Sequence, residues 1–326
     1  MKLATYLDGS RDGHLLVVSR DLTQAHYATG IATRLQQVLD DWGFLSPQLE
    51  DLSVSLNQGK LRHAFNFDPK LCMAPLPRAY QWAAGSAYAQ HQRLLRGADA
   101  AVSAEPPLAQ GGSDGFSGAC QAARFASEAM GIDFGAGLAV ITGDVAMGAT
   151  PLQALDGVRL LMLANDWSLR QLMAAEWARG HGLIQSRPST AFSPVAITPD
   201  ELGMSWRGGR VDLSLQVMWN GRKVGLCESG PDMTFHFGQL IAQLAKTRPV
   251  GAGTVIGSGP VSNQDGNKGY SCIAEKRALE LLAGGPAKTE FMQFGDTVRI
   301  EMKGRDGLSL FGAIDQDVIA VSEDAL

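Results

Sequence analysis

The period of the hydrophobic positions changes several times along the chain, and each change marks an element. Apolar residues run in two short extended stretches, Lys2 to Leu7 and His14 to Ser19, on either side of Gly9-Ser10-Arg11-Asp12-Gly13, which predicts a hairpin. Ile31, Leu35, Val38, Leu39 and Trp42 then form one apolar stripe of a helix predicted over 24–42, and a shorter polar helix is predicted over 47–57. Ala87, Tyr88, His91, Leu94 and Leu95 share a side of a helix at 86–96, followed by a Pro- and Gly-rich loop over 103–119. The strongest signal lies between Gly131 and Arg170. Phe134, Ala136, Leu138 and Val140 alternate onto one strand face, with Asp133, Gly135, Gly137, Ala139 and Ile141 on the other. Two glycines on one face of a strand mark a place where something approaches the backbone closely. A second apolar strand, Val158 to Ala164, delivers Asn165 and Asp166 to the mouth of a helix ending near 178. Ser168 and Gln171 read as the capping box of that helix, which frees Asp166 for another task.

Beyond Ser205 the pattern is mainly β. Val211, Leu213, Leu215 and Val217 alternate with polar residues, Asn220-Gly221 is a hairpin turn, and Val298, Ile300 and Met302 mark one of two terminal strands. A helix begun at Thr234 and ended before Pro249 interrupts them, followed by a glycine-rich loop from Gly253 to Gly259. The strands outnumber the helices and are not joined by regular βαβ units, which argues against a doubly wound sheet. The expected class is α+β, mainly β: a small α+β N-terminal domain over 1–72, then a curved, largely antiparallel β-roll or sandwich over 73–326.

Composition narrows the partners. A chain of 326 residues with 45% hydrophobic and 19% charged residues has the make-up of an ordinary soluble protein with a substantial core. The net charge of -5, with no basic patch, argues against nucleic acid, and no apolar run is long enough to span a membrane. Cys72, Cys120, Cys227 and Cys272 are scattered without a C-x-x-C pair, which suits reduced thiols and a cytoplasmic setting.

Several runs carry a resemblance: QGGSD at 110–114, GIDF-x-A-x-LAVITGDV from Gly131, LANDWSLR from Leu163, STAFSP at 189–194, GSG-x-VSN at 257–263 and SCIAE at 271–275. Together they resemble the fumarylacetoacetate hydrolase family, whose members cut carbon–carbon bonds in diketo acids with a divalent cation. The resemblance covers most of 73–326 and implies the β-roll fold, a small keto or dioxo acid as ligand, and a homodimer. It also implies Mg²⁺ or Ca²⁺ held by four carboxylates, at the positions occupied here by Ala84, Gly135, Gly137 and Asp166. Only Asp166 remains, so no tightly bound metal is expected. Ala109 stands where the family often has a tyrosine, Pro260 where it has a threonine, and Arg179 where a lysine is expected. His91 matches the water-activating histidine and Glu275 the glutamate that orients it. The implied parent reaction is hydrolysis of a carbon–carbon bond between two carbonyls. The alternative is a catalytically silent homologue that binds a ligand or partner through the old pocket.

Without the resemblance the same residues have plainer readings. His91 is a core histidine, Glu275 an exposed strand or loop charge, Arg170 a solvated helix residue, and Asp166 a carboxylate at a helix start. Gly135 and Gly137 suit either close packing or a widened pocket. Gly111 to Gly115 satisfies the G-x-S-x-G of serine hydrolases, but lacks the flanking strand and helix that chemistry requires.

Overall fold

The structure, a computed structural model, describes residues 1–97 and 103–321. The N-terminal hairpin forms as expected from β1 (Lys2–Tyr6) and β2 (His14–Val18). The helix expected from residue 24 does not begin there. Gln24–Tyr27 is instead β3, paired with β2 so that Val18 faces Ala25 and Leu16 faces Tyr27. The carbonyl of Ala28 then takes the N–H groups of Ile31 and Ala32, turning the chain at Gly30 before α1 (Leu35–Asp40) starts. α2 (Trp42–Asn57) is longer than its polar core suggested, and β4 (Phe65–Asn66) closes this segment.

The middle of the chain contributes β5 (Trp82–Gly85), α3 (Ala89–Arg96), β6 (Leu108–Gly111), β7 (Ala123–Phe125), β8 (Ile132–Asp133) and β9 (Ala136–Thr142). It continues with α4 (Pro151–Leu155), β10 (Val158–Asn165), β11 (Ser168–Leu169), α5 (Arg170–Arg179), β12 (Ala191–Phe192) and β13 (Val195–Ile197). β6 lies inside the expected 103–119 loop, where pairing with β5 sets Trp82 opposite Gly111. The capping box expected at Ser168 is not made, because Ser168 is drawn into a strand pair with Asp133. The first N–H of α5, at Arg170, goes to the Gly131 carbonyl at 2.9 Å instead.

The remainder supplies a small hairpin, β14 (Trp206–Arg207) and β15 (Arg210–Val211), then β16 (Ser214–Trp219) and β17 (Arg222–Glu228) joined through Asn220-Gly221. α6 (Phe237–Leu244), β18 (Val255–Pro260), α7 (Ile273–Leu282), β19 (Thr297–Met302) and β20 (Ile314–Ala320) follow. α6 starts at Phe237 rather than Thr234, because the Gln239 side chain accepts the His236 N–H and fixes the first turn there. The supposed loop at 253–259 is the strand β18, whose Val255 and Ile256 are fully buried.

One sheet of 11 strands runs β4-β3-β2-β1-β13-β10-β9-β18-β5-β6, with β12 added on β10; a five-stranded sheet runs β17-β16-β19-β20-β7. Only β18–β5 and β20–β7 are parallel among the strand pairs of these sheets. β1 pairs with β13, Lys2 opposite Ile197, so the N-terminal strands extend the main sheet. Both faces of β9 are covered: Ala136, Leu138 and Val140 enter one apolar cluster, Ala139 and Ile141 another with Trp82 and Phe192. A strand buried on both sides reads as a continuous apolar run. The class is α+β with strand in excess. Among the described residues, no helix is long and apolar enough to cross a membrane.

Candidate functional site

α3 leaves the end of β5 and is pinned at its first turn, where the Ala89 N–H donates to Thr234 Oγ1 at 3.0 Å and the Tyr88 hydroxyl to the Ser229 carbonyl at 2.8 Å. This turns His91 inward. His91 is 9% exposed, and its Nδ1 lies 2.6 Å from Glu275 Oε1. Glu275 is not the exposed charge its local sequence suggested. It sits in the first turn of α7 and is 2% exposed. A carboxylate on Nδ1 holds the proton there, leaving the Nε2 lone pair as the acceptor. Among the described residues none bonds to Nε2.

Asp133 fixes the helix that carries Glu275. Its Oδ1 accepts the Ile273 N–H at 2.6 Å and its Oδ2 the Ala274 N–H at 3.1 Å, capping the start of α7. Arg170 Nε donates to the same Oδ2 at 2.8 Å. Burial pushes the Asp133 carboxyl upward, against the pull of Arg170 and the two amides. Arg170 is therefore a buried ion-pair partner and not a solvated helix residue. Because one carboxylate ties together the starts of α5 and α7, it fixes the helix that carries Glu275 relative to the helix that lines the cavity with Arg170 and Met173.

Asp166 follows β10, beside Asn165, whose Oδ1 accepts the Gly135 N–H at 2.9 Å. Its Oδ2 accepts Arg187 Nη2 and its Oδ1 accepts Thr190 Oγ1, the latter at 3.1 Å. Arg187 reaches this place because Glu176 gathers the preceding loop. The Glu176 carboxylate accepts the N–H groups of Ile184, Gln185 and Ser186 at 3.0, 2.8 and 2.9 Å, and the Ser186 hydroxyl as well. Those hydrogen bonds, led by the Ser186 hydroxyl, pull its pKa down to about 2.

These groups surround a cavity of about 220 Å³. Its polar lining includes His91, Asp166, Arg96, Arg170 and Arg187, with Gln92 and Ser168. Leu95, Leu108, Met173, Trp177 and Leu183 supply apolar lining. Ala84, Ala109 and Pro260 also line it. Four larger grooves, of about 230, 430, 460 and 550 Å³, include no histidine or cysteine.

Gly135 and Gly137 do not line the cavity. A Cβ on Gly135 would lie 2.6 Å from the Asp166 carbonyl oxygen, and one on Gly137 would lie 2.3 Å from that of Gly259. Both contacts are with backbone, so Gly137 serves close packing of β9 on β18 and Gly135 close packing on the chain leaving β10, rather than a widened pocket. Arg179 also stands outside, exposed at the end of α5. The cation that reaches Asp166 is Arg187, just before the STAFSP run; adjacency to that run was the only sequence signal for it. Nothing local marks Glu176, whose role depends on a loop folding back eight to ten residues later.

The donor set does not fit a tightly held dication. Both Asp166 oxygens are engaged, Ala84 offers no donor, and the two glycine positions have no room for a carboxylate. His91, Glu275 and Cys272 form another group, with ligand atoms within 4.8 Å of one another. Burial pushes the Cys272 thiol well above its ordinary value, which does not favour a nucleophile there. The G-x-S-x-G run continues into loop without a helix, leaving Ser113 without the setting of a nucleophile.

Comparison with known proteins bears on both halves of the chain. Residues 1–78 match the family model described as fumarylacetoacetase N-terminal domain 2, and residues 81–319 that described as fumarylacetoacetate (FAA) hydrolase C-terminal. No curated protein matches the sequence. The fold is similar to the fumarylacetoacetate hydrolase of Exiguobacterium antarcticum, at 18% identity and TM-score 0.64, over 98% of this chain and 100% of that one. It is similar also to the maleylpyruvate hydrolase of Sphingobium sp. SYK-6 in complex with manganese(II) ion and pyruvate, at 14% identity and TM-score 0.66, over 99% and 100% of the two chains. A third likeness is the 5-carboxymethyl-2-hydroxymuconate delta-isomerase of Mycobacterium smegmatis, at 14% identity and TM-score 0.61, again over 99% and 100%.

Proposed function

The chain belongs to the fumarylacetoacetate hydrolase family, and from that premise we propose that it acts on a small enolisable oxo acid with His91 as base and no tightly held metal. The observation that carries this reading is the 2.6 Å contact between His91 Nδ1 and Glu275 Oε1, on the wall of a cavity that also holds arginines. Glu275 keeps the imidazole in one tautomer and stabilises the imidazolium that forms when Nε2 takes a proton. That proton comes from the carbon beside the carbonyl or from a water that attacks it. The first transfer gives an enolate, which takes a proton back at carbon. In the second the hydroxide adds to the carbonyl, the adduct breaks the carbon–carbon bond to expel an enolate, and the imidazolium returns its proton to that enolate. This is the parent reaction of the family, redirected here by the altered donor set. A carboxylate head on the arginines leaves the apolar lining, Leu95, Leu108 and Trp177 among it, for the rest of the ligand. A homodimer and a cytoplasmic setting complete the proposal, supported by the family resemblance.

A silent ligand-binding homologue is the second reading, favoured by the lost carboxylates, since a metal typically contributes several kcal/mol to stabilising the developing charge. The deciding experiment incubates the chain with acylpyruvates in heavy water, with EDTA and then with Mg²⁺ or Mn²⁺. Deuterium uptake or cleavage that persists in EDTA and disappears in His91→Asn is expected. Turnover that needs the added metal would refute the proposal, and silence in every arm would leave the binding homologue.

A further inference from the structure

We propose that Arg187 is a built-in cation: anchored on Asp166, its guanidinium receives the ligand oxygens that a bound dication receives in other members. This rests on the reading that the cavity takes a small oxo acid. A guanidinium carries five N–H donors in a planar fork. Asp166 accepts from Nη2, while Nε is buried with no protein partner. The remaining donors belong to a side chain that lines the cavity and is 13% exposed.

The surroundings support a fixed charge and not a wandering side chain. Asp166 takes Arg187 on one oxygen and Thr190 on the other, so the carboxylate that would face a metal is committed. The loop before Arg187 is clamped by the three amides and one hydroxyl that Glu176 accepts. Of the other arginines lining the cavity, Arg170 is paired with the fully buried Asp133 and Arg96 is exposed to solvent at the end of α3. Where Gly135 and Gly137 stand, backbone fills the space that carboxylate ligands would need. At Asp166 the place of a dication is taken by the guanidinium charge of Arg187. Such a charge is weaker than a dication, but it cannot be lost to a chelator and presents parallel donors that suit a carboxylate.

The test uses equilibrium binding of pyruvate to the full chain after EDTA treatment, followed by ligand-observed NMR, so that no turnover is needed. Wild type binds, and added Mg²⁺ changes the affinity by less than about twofold. Arg187→Gln weakens binding by roughly 10- to 100-fold, the loss expected for charge-assisted hydrogen bonds. Arg187→Lys keeps part of the affinity, and guanidinium far below denaturing concentrations restores part of it to Arg187→Ala. Circular dichroism checks that each variant is folded, and the Mg²⁺ arm on wild type stands if one is not. Wild-type strength in Arg187→Gln, a strong Mg²⁺ enhancement in wild type, or absence of pyruvate binding would each overturn the proposal. A chain that binds pyruvate through Arg187 yet exchanges no deuterium retains this inference and defeats the catalytic reading alone.

Discussion

Gly137→Ala tests whether the old ligand position is closed. The added methyl carbon would sit 2.3 Å from the Gly259 carbonyl oxygen, 3.0 Å from its carbon and 3.1 Å from Ser258 Oγ. Relief to an ordinary contact requires β9 and β18 to part by about 1 Å, in a sheet whose strands normally lie about 4.8 Å apart. Gly137 and Pro260 are register partners, so the strain falls directly on that pairing. Overpacking of this kind costs about 1–3 kcal/mol. Replacing a glycine gains back about 0.4–1 kcal/mol by restricting the unfolded chain. The net expectation is a loss of about 1–2 kcal/mol, read as a lower urea midpoint at an unchanged slope. Gly251→Ala is the control: no heavy atom lies within 4 Å of its Cβ, so it should stay within about 0.5 kcal/mol of wild type. If Gly137→Ala matches wild type while the control behaves, a side chain can be seated there. A carboxylate ligand would then have room at that position.

Arg170→Met should cost about 3–5 kcal/mol, because it strands the Asp133 carboxylate with only amide partners; a loss below about 1 kcal/mol in urea unfolding would show that the pair holds little together. Glu275→Gln keeps the shape around His91 but removes the charge that stabilises the imidazolium, so turnover should fall by roughly 10- to 100-fold with little change in substrate KM; an equal rate would remove Glu275 from the mechanism. Glu176 and Glu280 are held at about 2 by hydrogen bonds, below the ordinary 4.5, so each contributes stability fully above about pH 4.5 and loses it as the pH falls toward 2. The stability gap between wild type and Glu176→Gln should therefore be greatest near neutrality and shrink on acidification; a gap independent of pH would contradict the assignment.

Much of the scaffold was legible because it depends on local period. The hairpin of β1 and β2, the turn at Asn220-Gly221 and the alternation of Phe134, Ala136, Leu138 and Val140 each follow from a few neighbouring residues. The spacing of the family-like runs also drew attention to Ala84, His91, Asp166 and Glu275 as one locality. Elements failed where tertiary pairing overrode the local pattern. Gln24–Tyr27 became a strand because β2 offered it a free edge, and β18 became central because β9 and β5 both needed a partner. Glycines that locally resemble loop were there for close approach.

By itself the sequence determined the class of fold, the kinship of the chain and the absence of three carboxylates. It left open what had become of the space, since deletion of a side chain says nothing about whether backbone or solvent fills it. Tertiary structure decided that the strands closed over Gly135 and Gly137, that Arg187 rather than Arg179 reaches Asp166, and that a buried Asp133 holds the helix bearing Glu275. Each of these is a contact between residues 21 or more positions apart. Electrostatic and packing energies depend on distance in space, and such distances enter only when the chain has folded.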